Sequence, residues 1–98
     1  MCIDILSRAE WLRRIDEFFD MYIRSYEVFE RYYVPGNSPC SQMRWAANEI
    51  RREIALDRQR KPIYIVMNFR DRMKQYSLRH KEFLYAYRIS EACVENFT

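Results

Sequence analysis

Residues 7–33 read SRAEWLRRIDEFFDMYIRSYEVFERYY. Ser7 and Glu10 form the S-x-x-E pattern of a capping box at a helix start, and Leu6 with Trp11 fits the hydrophobic staple that accompanies it. From Leu12 the apolar positions recur as Ile15, Phe19, Tyr22, Tyr26, Phe29 and Tyr33, at alternating spacings of three and four. That period is helical, whereas a strand requires alternation by two. The stretch predicts one helix over 8–33, about 39 Å long at about 1.5 Å per residue. A helix of that length exceeds the breadth of a domain this small, so it must overhang its neighbours or bend around them. The pairs Glu10–Arg14, Asp20–Arg24 and Glu27–Arg31, acid first at four-residue spacing, read as its solvated face.

Working outward, Val34-Pro35-Gly36-Asn37 stops the helix, and Ser38-Pro39 supplies a cap and a first-turn proline for a second. This second helix is predicted over 39–60, with Met43, Ala47, Ile50 and Ile54 on its buried stripe. Lys61-Pro62 breaks it. The following run, Ile63 to Phe69, has the β-branched and aromatic content of a strand, but the only other alternating run is Cys2 to Leu6. A helix opened by Pro62 is therefore preferred, with Val66, Phe69, Met73 and Tyr76 facing inward. After the polar stretch 77–81 a fourth helix is expected from near Glu82, with Phe83, Ala86, Ile89, Cys93 and Phe97 as its core face. A chain of 98 residues with one Gly and three Pro is thus read as one all-helical domain over 1–98. Its fold is a small bundle of about four helices with a long, aromatic-rich N-terminal member and a helical C-terminal part.

Composition also limits the chemistry. One glycine excludes Gly-rich phosphate loops. Three cysteines, odd in number and in no C-x-x-C arrangement, argue against a disulfide framework and a zinc site. Cys93 reads as a small core hydrophobe, while Cys40, beside a helix N-terminus, is a candidate reactive thiol. A Cys40–His80 nucleophile and base pair is the one such constellation available, and nothing in the sequence brings the two together. Asp16, Glu17 and Asp20 lie among Arg13 and Arg24. Glu49, Glu53 and Asp57 are spaced to help hold a cation, but Arg52, Arg58 and Arg60 make self-neutralisation the better account. No catalytic site, metal or cofactor is expected. Without a signal-like or membrane-spanning run, the chain is expected to be cytoplasmic and to make no membrane contact.

Charge is unevenly placed. Residues 1–37 carry a net −2, residues 38–98 a net +5, and residues 44–81 a net +7. Fourteen of the seventeen basic residues are arginine, whose planar fork suits bidentate recognition of carboxylates and phosphates. Arg44, Arg51 and Arg58 recur every seven residues, as one stripe of the second helix, with Asn48 and Arg52 beside it. Arg60, Arg70 and Arg72 are expected to extend the patch. These eight residues are the candidate partner- or phosphate-binding set. They suit a protein partner with an acidic surface, or the phosphates of DNA or RNA with Trp45 or Tyr64 stacking on bases; alternatively they merely solvate the helices. The seam Leu12, Ile15, Phe19, Tyr22, Tyr26, Phe29 and Tyr33 is rich in aromatic rings. It is expected to pair with a second copy in a homodimer, unless the other helices cover it.

The stretch from Pro62 to Met73, followed by Tyr76-Ser77 and later Ala86-Tyr87, resembles the C-terminal part of short, mostly uncharacterised proteins carried by mobile elements of Firmicutes. In those proteins a proline opens a helix ending in a Phe-Arg-x-x-Met pattern, here Phe69-Arg70-Asp71-Arg72-Met73. The likeness covers residues 62–98, and the segment between Ser77 and Phe83 is shorter here than in those proteins. It implies a context and no activity: a small accessory protein of a phage or integrated element that inhibits host machinery, such as a nucleic-acid defence complex of the CRISPR type.

Overall fold

The computed structural model describes residues 6–98; the run from Cys2 to Ile5 lies outside the described residues. Four α-helices follow in order: α1 (Arg8–Tyr26), α2 (Pro39–Leu56), α3 (Pro62–Ser77) and α4 (Leu84–Phe97). A 3₁₀ segment, Glu27–Tyr32, continues α1, and a short 3₁₀ turn, Lys81–Phe83, leads into α4. Among the described residues there is no strand.

α1 and α2 start at serine caps. The Ser7 hydroxyl accepts the Glu10 amide at 3.1 Å and donates to the Glu10 carboxylate at 3.5 Å. Ser38 accepts the Ser41 amide at 3.1 Å, with Pro39 in the first turn. α3 has no side-chain cap but shares the first-turn proline, Pro62, and Ile63 to Phe69 is helical despite its strand-like composition. Tertiary packing decides the matter, because Ile63, Val66, Phe69 and Met73 fall on one helical face and are all buried.

All four helices feed one contiguous core. Trp11, Ile15, Phe18, Phe19 and Ile23 of α1 meet Cys40, Met43, Ala46, Ala47, Ile50 and Ile54 of α2, the α3 face, and Ala86, Ile89, Cys93 and Val94 of α4. Along the α1–α4 flank the rings form a ladder: Trp11 to Phe97 at 5.4 Å, Phe97 to Phe18 at 6.4 Å, Phe18 to Tyr22 at 5.6 Å and Tyr22 to Tyr26 at 5.4 Å. Such edge and tilted contacts add to the burial of the rings themselves.

Three expectations are corrected. The first helix is not α-helical to Tyr33. Ser25 turns its hydroxyl back onto the Tyr22 carbonyl at 2.6 Å, the Glu27 amide bonds Arg24 in a tightened turn, and the segment proceeds as 3₁₀. Together α1 and this segment are roughly 40 Å long, close to the 42 Å long axis of the molecule, and the 3₁₀ end buries none of its residues, so it overhangs the core. The second helix stops at Leu56 instead of reaching Arg60. Asp57 leaves the helical region and its carboxylate takes the amides of Gln59 and Arg60, each at 3.1 Å, an Asx turn that competes with further helix. Tyr76, expected inward, is 48% exposed.

The predicted pairs Glu10–Arg14, Asp20–Arg24 and Glu27–Arg31 do not close within 4 Å among the described residues. Glu10 is held in its cap, Glu27 faces Arg44, and Arg31 lies over the Tyr32 ring at 5.0 Å. In the connection that follows, Asn37 bonds back to Val34 at 3.0 Å and Gly36 has φ +86°. This is the positive φ that a Pro-Gly turn of type II requires.

Two helix ends are finished by distant side chains. The Arg8 guanidinium donates to the carbonyls of Ile54, Asp57 (2.7 Å), Arg60 (2.9 Å) and Arg58 (3.3 Å), satisfying orphan carbonyls at the end of α2. The Gln42 side-chain carbonyl accepts the Tyr85 amide at 3.2 Å, at the start of α4.

Candidate partner-binding face

Helices α1 and α2 lie side by side, and their solvent-facing seam carries the predicted arginines. Arg44 and Arg51, seven residues apart, share one face of α2. Arg51 Nε donates to Asp16 Oδ1 at 2.7 Å and Nη1 to Asn48 Oδ1 at 3.2 Å, with the guanidinium 6.0 Å from the Phe19 ring centre. Arg44 reaches Glu30 at 3.6 Å and Glu27 at 4.0 Å. Both therefore strap α2 to the first helix. Their side chains remain 51% (Arg44) and 40% (Arg51) exposed, a setting in which an ion pair contributes about 0–1 kcal/mol.

Arg58 does not occupy the third stripe position, because α2 has ended. It stands on the loop after Asp57, at one end of the α1–α2 groove, and its side chain makes no ion pair or hydrogen bond among the described residues. Here the groove opens into a cavity of about 500 Å³. Leu12, Ile15, Ile54 and Ala55 line its floor, and Arg8, Asp16, Arg51 and Arg58 its rim.

The expected continuous patch is divided by α2 itself. Arg60 and Arg72 line a different groove, between α2 and α3, with Glu53, Leu56, Asp57, Ile65 and Asn68. There Arg72 grips both carboxylate oxygens of Glu53 at 2.6 and 2.7 Å and lies 5.4 Å from the Phe69 ring centre, while Arg60 pairs with Asp57 at 3.5 Å. Arg70 pairs with Asp71 at 3.1 Å, and Arg52 with Glu49 at 3.3 Å.

The aromatic seam is divided too. Ile15 and Phe19 are fully buried in the chain's own core, so they cannot meet a second copy. Tyr22 and Tyr26 pack half-buried against the core and Leu12 lines the α1–α2 groove. Phe29 and Tyr33 stay exposed on the overhang, together with Val28, Tyr32 and Val34. A second group of rings went unread in the sequence because it joins three elements. Trp45 lies 5.9 Å from Phe83 and 6.1 Å from Phe69, and Phe83 lies 5.4 Å from Tyr76. Tyr64, the other stacking candidate, is exposed.

Cys40 and His80 stand in different surroundings. Cys40 is fully buried and its thiol faces the Ile23 carbonyl at 3.5 Å. Burial, then the neighbouring Glu30, pushes its pKa up against the helix-start effect expected from its position. His80 lies elsewhere, exposed, within 3.9 Å of Glu82 and beside Phe83. Glu49, Glu53 and Asp57 each face an arginine, and among the described residues no cluster is suited to hold a metal ion. Burial also drives the Cys93 thiol up to about 12. In a Cys2→Ser variant at pH 8, a thiol reagent should therefore label neither Cys40 nor Cys93 until denaturant is added; prompt labelling of the native protein would contradict their burial.

Arg8 was missed although it carries a sequence signal. A cation in the first turn opposes its own helix dipole, which points to a partner elsewhere. No helix among the described residues is long and apolar enough to cross a membrane. No family model, curated protein or solved structure matches the chain.

Proposed function

We propose that the chain is a small non-catalytic binding protein that docks its α1–α2 arginine face on an acidic surface of a partner protein. The observation carrying this reading is Arg58, an exposed guanidinium with no ion pair or hydrogen bond among the described residues, at the mouth of an apolar-floored groove and continued by the half-exposed Arg51 and Arg44. The mobile-element resemblance adds the setting. The partner class it supports is a nucleic-acid-handling defence complex of the host, inhibited or bridged in the manner of an anti-CRISPR protein.

The test compares wild type with an Arg44→Gln/Arg51→Gln/Arg58→Gln variant whose fold is verified by circular dichroism. The partner captured by wild type from host cells is purified and its affinity for both proteins measured. A loss of at least about tenfold is expected for the variant; equal affinities overturn the reading.

A second reading places nucleic acid on the same arginines, and the half-exposed Trp45 and exposed Tyr64 favour it as stacking surfaces. It requires retardation of DNA or RNA at low salt, with log affinity falling linearly as log salt rises. Self-association belongs with either reading and has the overhang Val28, Phe29, Tyr32 and Val34 as its surface. Sedimentation at micromolar concentration should show a dimer, and a lone 12.2 kDa species would refute it.

A further inference from the structure

We infer that the cavity at the Arg58 end of the α1–α2 groove seats one bulky apolar side chain from an acidic, amphipathic segment of the partner. The inference rests on the docking reading above and names the chemistry that the face recognises. Two properties of the cavity set this chemistry. Its floor of Leu12, Ile15, Ile54 and Ala55 is aliphatic, so it gains from removing apolar surface from water and offers nothing to a base edge or a sugar. Its rim bears three guanidiniums against one carboxylate, Asp16.

Those guanidiniums differ in availability. Arg8 is committed to four backbone carbonyls. Arg51 gives Nε and one terminal nitrogen to Asp16 and Asn48, leaving its other terminal nitrogen to bond elsewhere. Among the described residues nothing engages the fork of Arg58, and a carboxylate close to the apolar anchor satisfies it. An apolar floor with acid-seeking arginines at its edge is the complement of a helix with hydrophobic anchors and flanking Asp or Glu, the helix-in-groove mode. The cavity, about 500 Å³, lies within the range of pockets that hold compact groups.

The probe is a phage-displayed library of random 16-residue peptides, selected on the immobilised full chain. Enriched peptides should carry a Leu, Phe, Trp or Met flanked by acidic residues. They should lose at least about tenfold in affinity both for Ala55→Trp, which fills the cavity from an exposed helix position, and for Arg58→Gln. Peptides that lose affinity for Arg58→Gln but not for Ala55→Trp place recognition on charge alone, overturning the groove while leaving the arginine face as a docking surface. Enrichment of basic or neutral peptides, indifference to both variants, or no enrichment over bare support overturns the groove outright. The fate of the face is then decided separately by the partner-affinity comparison with the triple arginine variant. Circular dichroism of both single variants excludes loss of fold as the cause.

Discussion

Replacing Arg8 with alanine is expected to lower the stability of the protein by about 2–3 kcal/mol. At roughly 4–8 °C per kcal/mol for a domain of this size, the melting midpoint falls by about 8–24 °C. The reason is positional. Four carbonyls at the α2 terminus and in the following loop point at one guanidinium, and with it gone the part-buried carbonyls of Ile54 and Asp57 lose a bond that water replaces poorly, while the exposed ones of Arg58 and Arg60 turn to water. Arg8→Lys should recover less than half of the loss, because an ammonium has the charge but not the planar fork that reaches carbonyls spread over 54–60. A shift of under about 3 °C for Arg8→Ala would show the cap to be dispensable.

Phe19→Ala should be more severe, at about 3–5 kcal/mol, out of a total stability of about 5–15 kcal/mol for a chain of this length. Phe19 is completely buried, touches Phe18 ring to ring at 6.5 Å, and lies beneath the Arg51 guanidinium. The measurement is chemical denaturation at two protein concentrations tenfold apart. A core residue lowers the midpoint by the same amount relative to wild type at both concentrations. A residue of an intermolecular seam gives instead a folded monomer whose association is weakened, and that outcome would return Phe19 to the dimer interface.

The contrast shows where the sequence was legible. Ser7-x-x-Glu10, Ser38-Pro39 and Lys61-Pro62 are local signals, each interpretable within four residues, and all three mark observed helix starts. Met43, Ala47, Ile50 and Ile54 of α2 followed from period alone, whereas the equally buried Cys40 and Ala46 did not. What the sequence concealed was which partner meets which face. The seam from Leu12 to Tyr33 gives the same pattern whether a second copy or the chain's own helices cover it, and the structure divides it, with Ile15 and Phe19 inside and Phe29 and Tyr33 outside. Arg44, Arg51 and Arg58 form a stripe only while α2 continues. Asp57 stops the helix by capturing two amides, a choice between competing backbone bonds that the helical period does not reveal.

The candidate face was legible as a concentration of arginine and not as a geometry. Period placed Arg44 and Arg51 beside the buried stripe, but pairing across to Asp16, Glu27 and Glu30 needs the third dimension. So does the separation of Arg60 and Arg72 onto another side of α2. The Trp45, Phe83 and Tyr76 rings come from α2, the turn before α4 and α3, and nothing in their spacing announces the meeting.

The long-range caps bear on how the molecule assembles. Arg8 belongs to the first helix and closes the end of the second; Gln42 belongs to the second and steadies the beginning of the last. In both cases the donor of help leaves the ribosome before the element it completes. Vectorial synthesis therefore presents these two open helix ends to segments that have already been made.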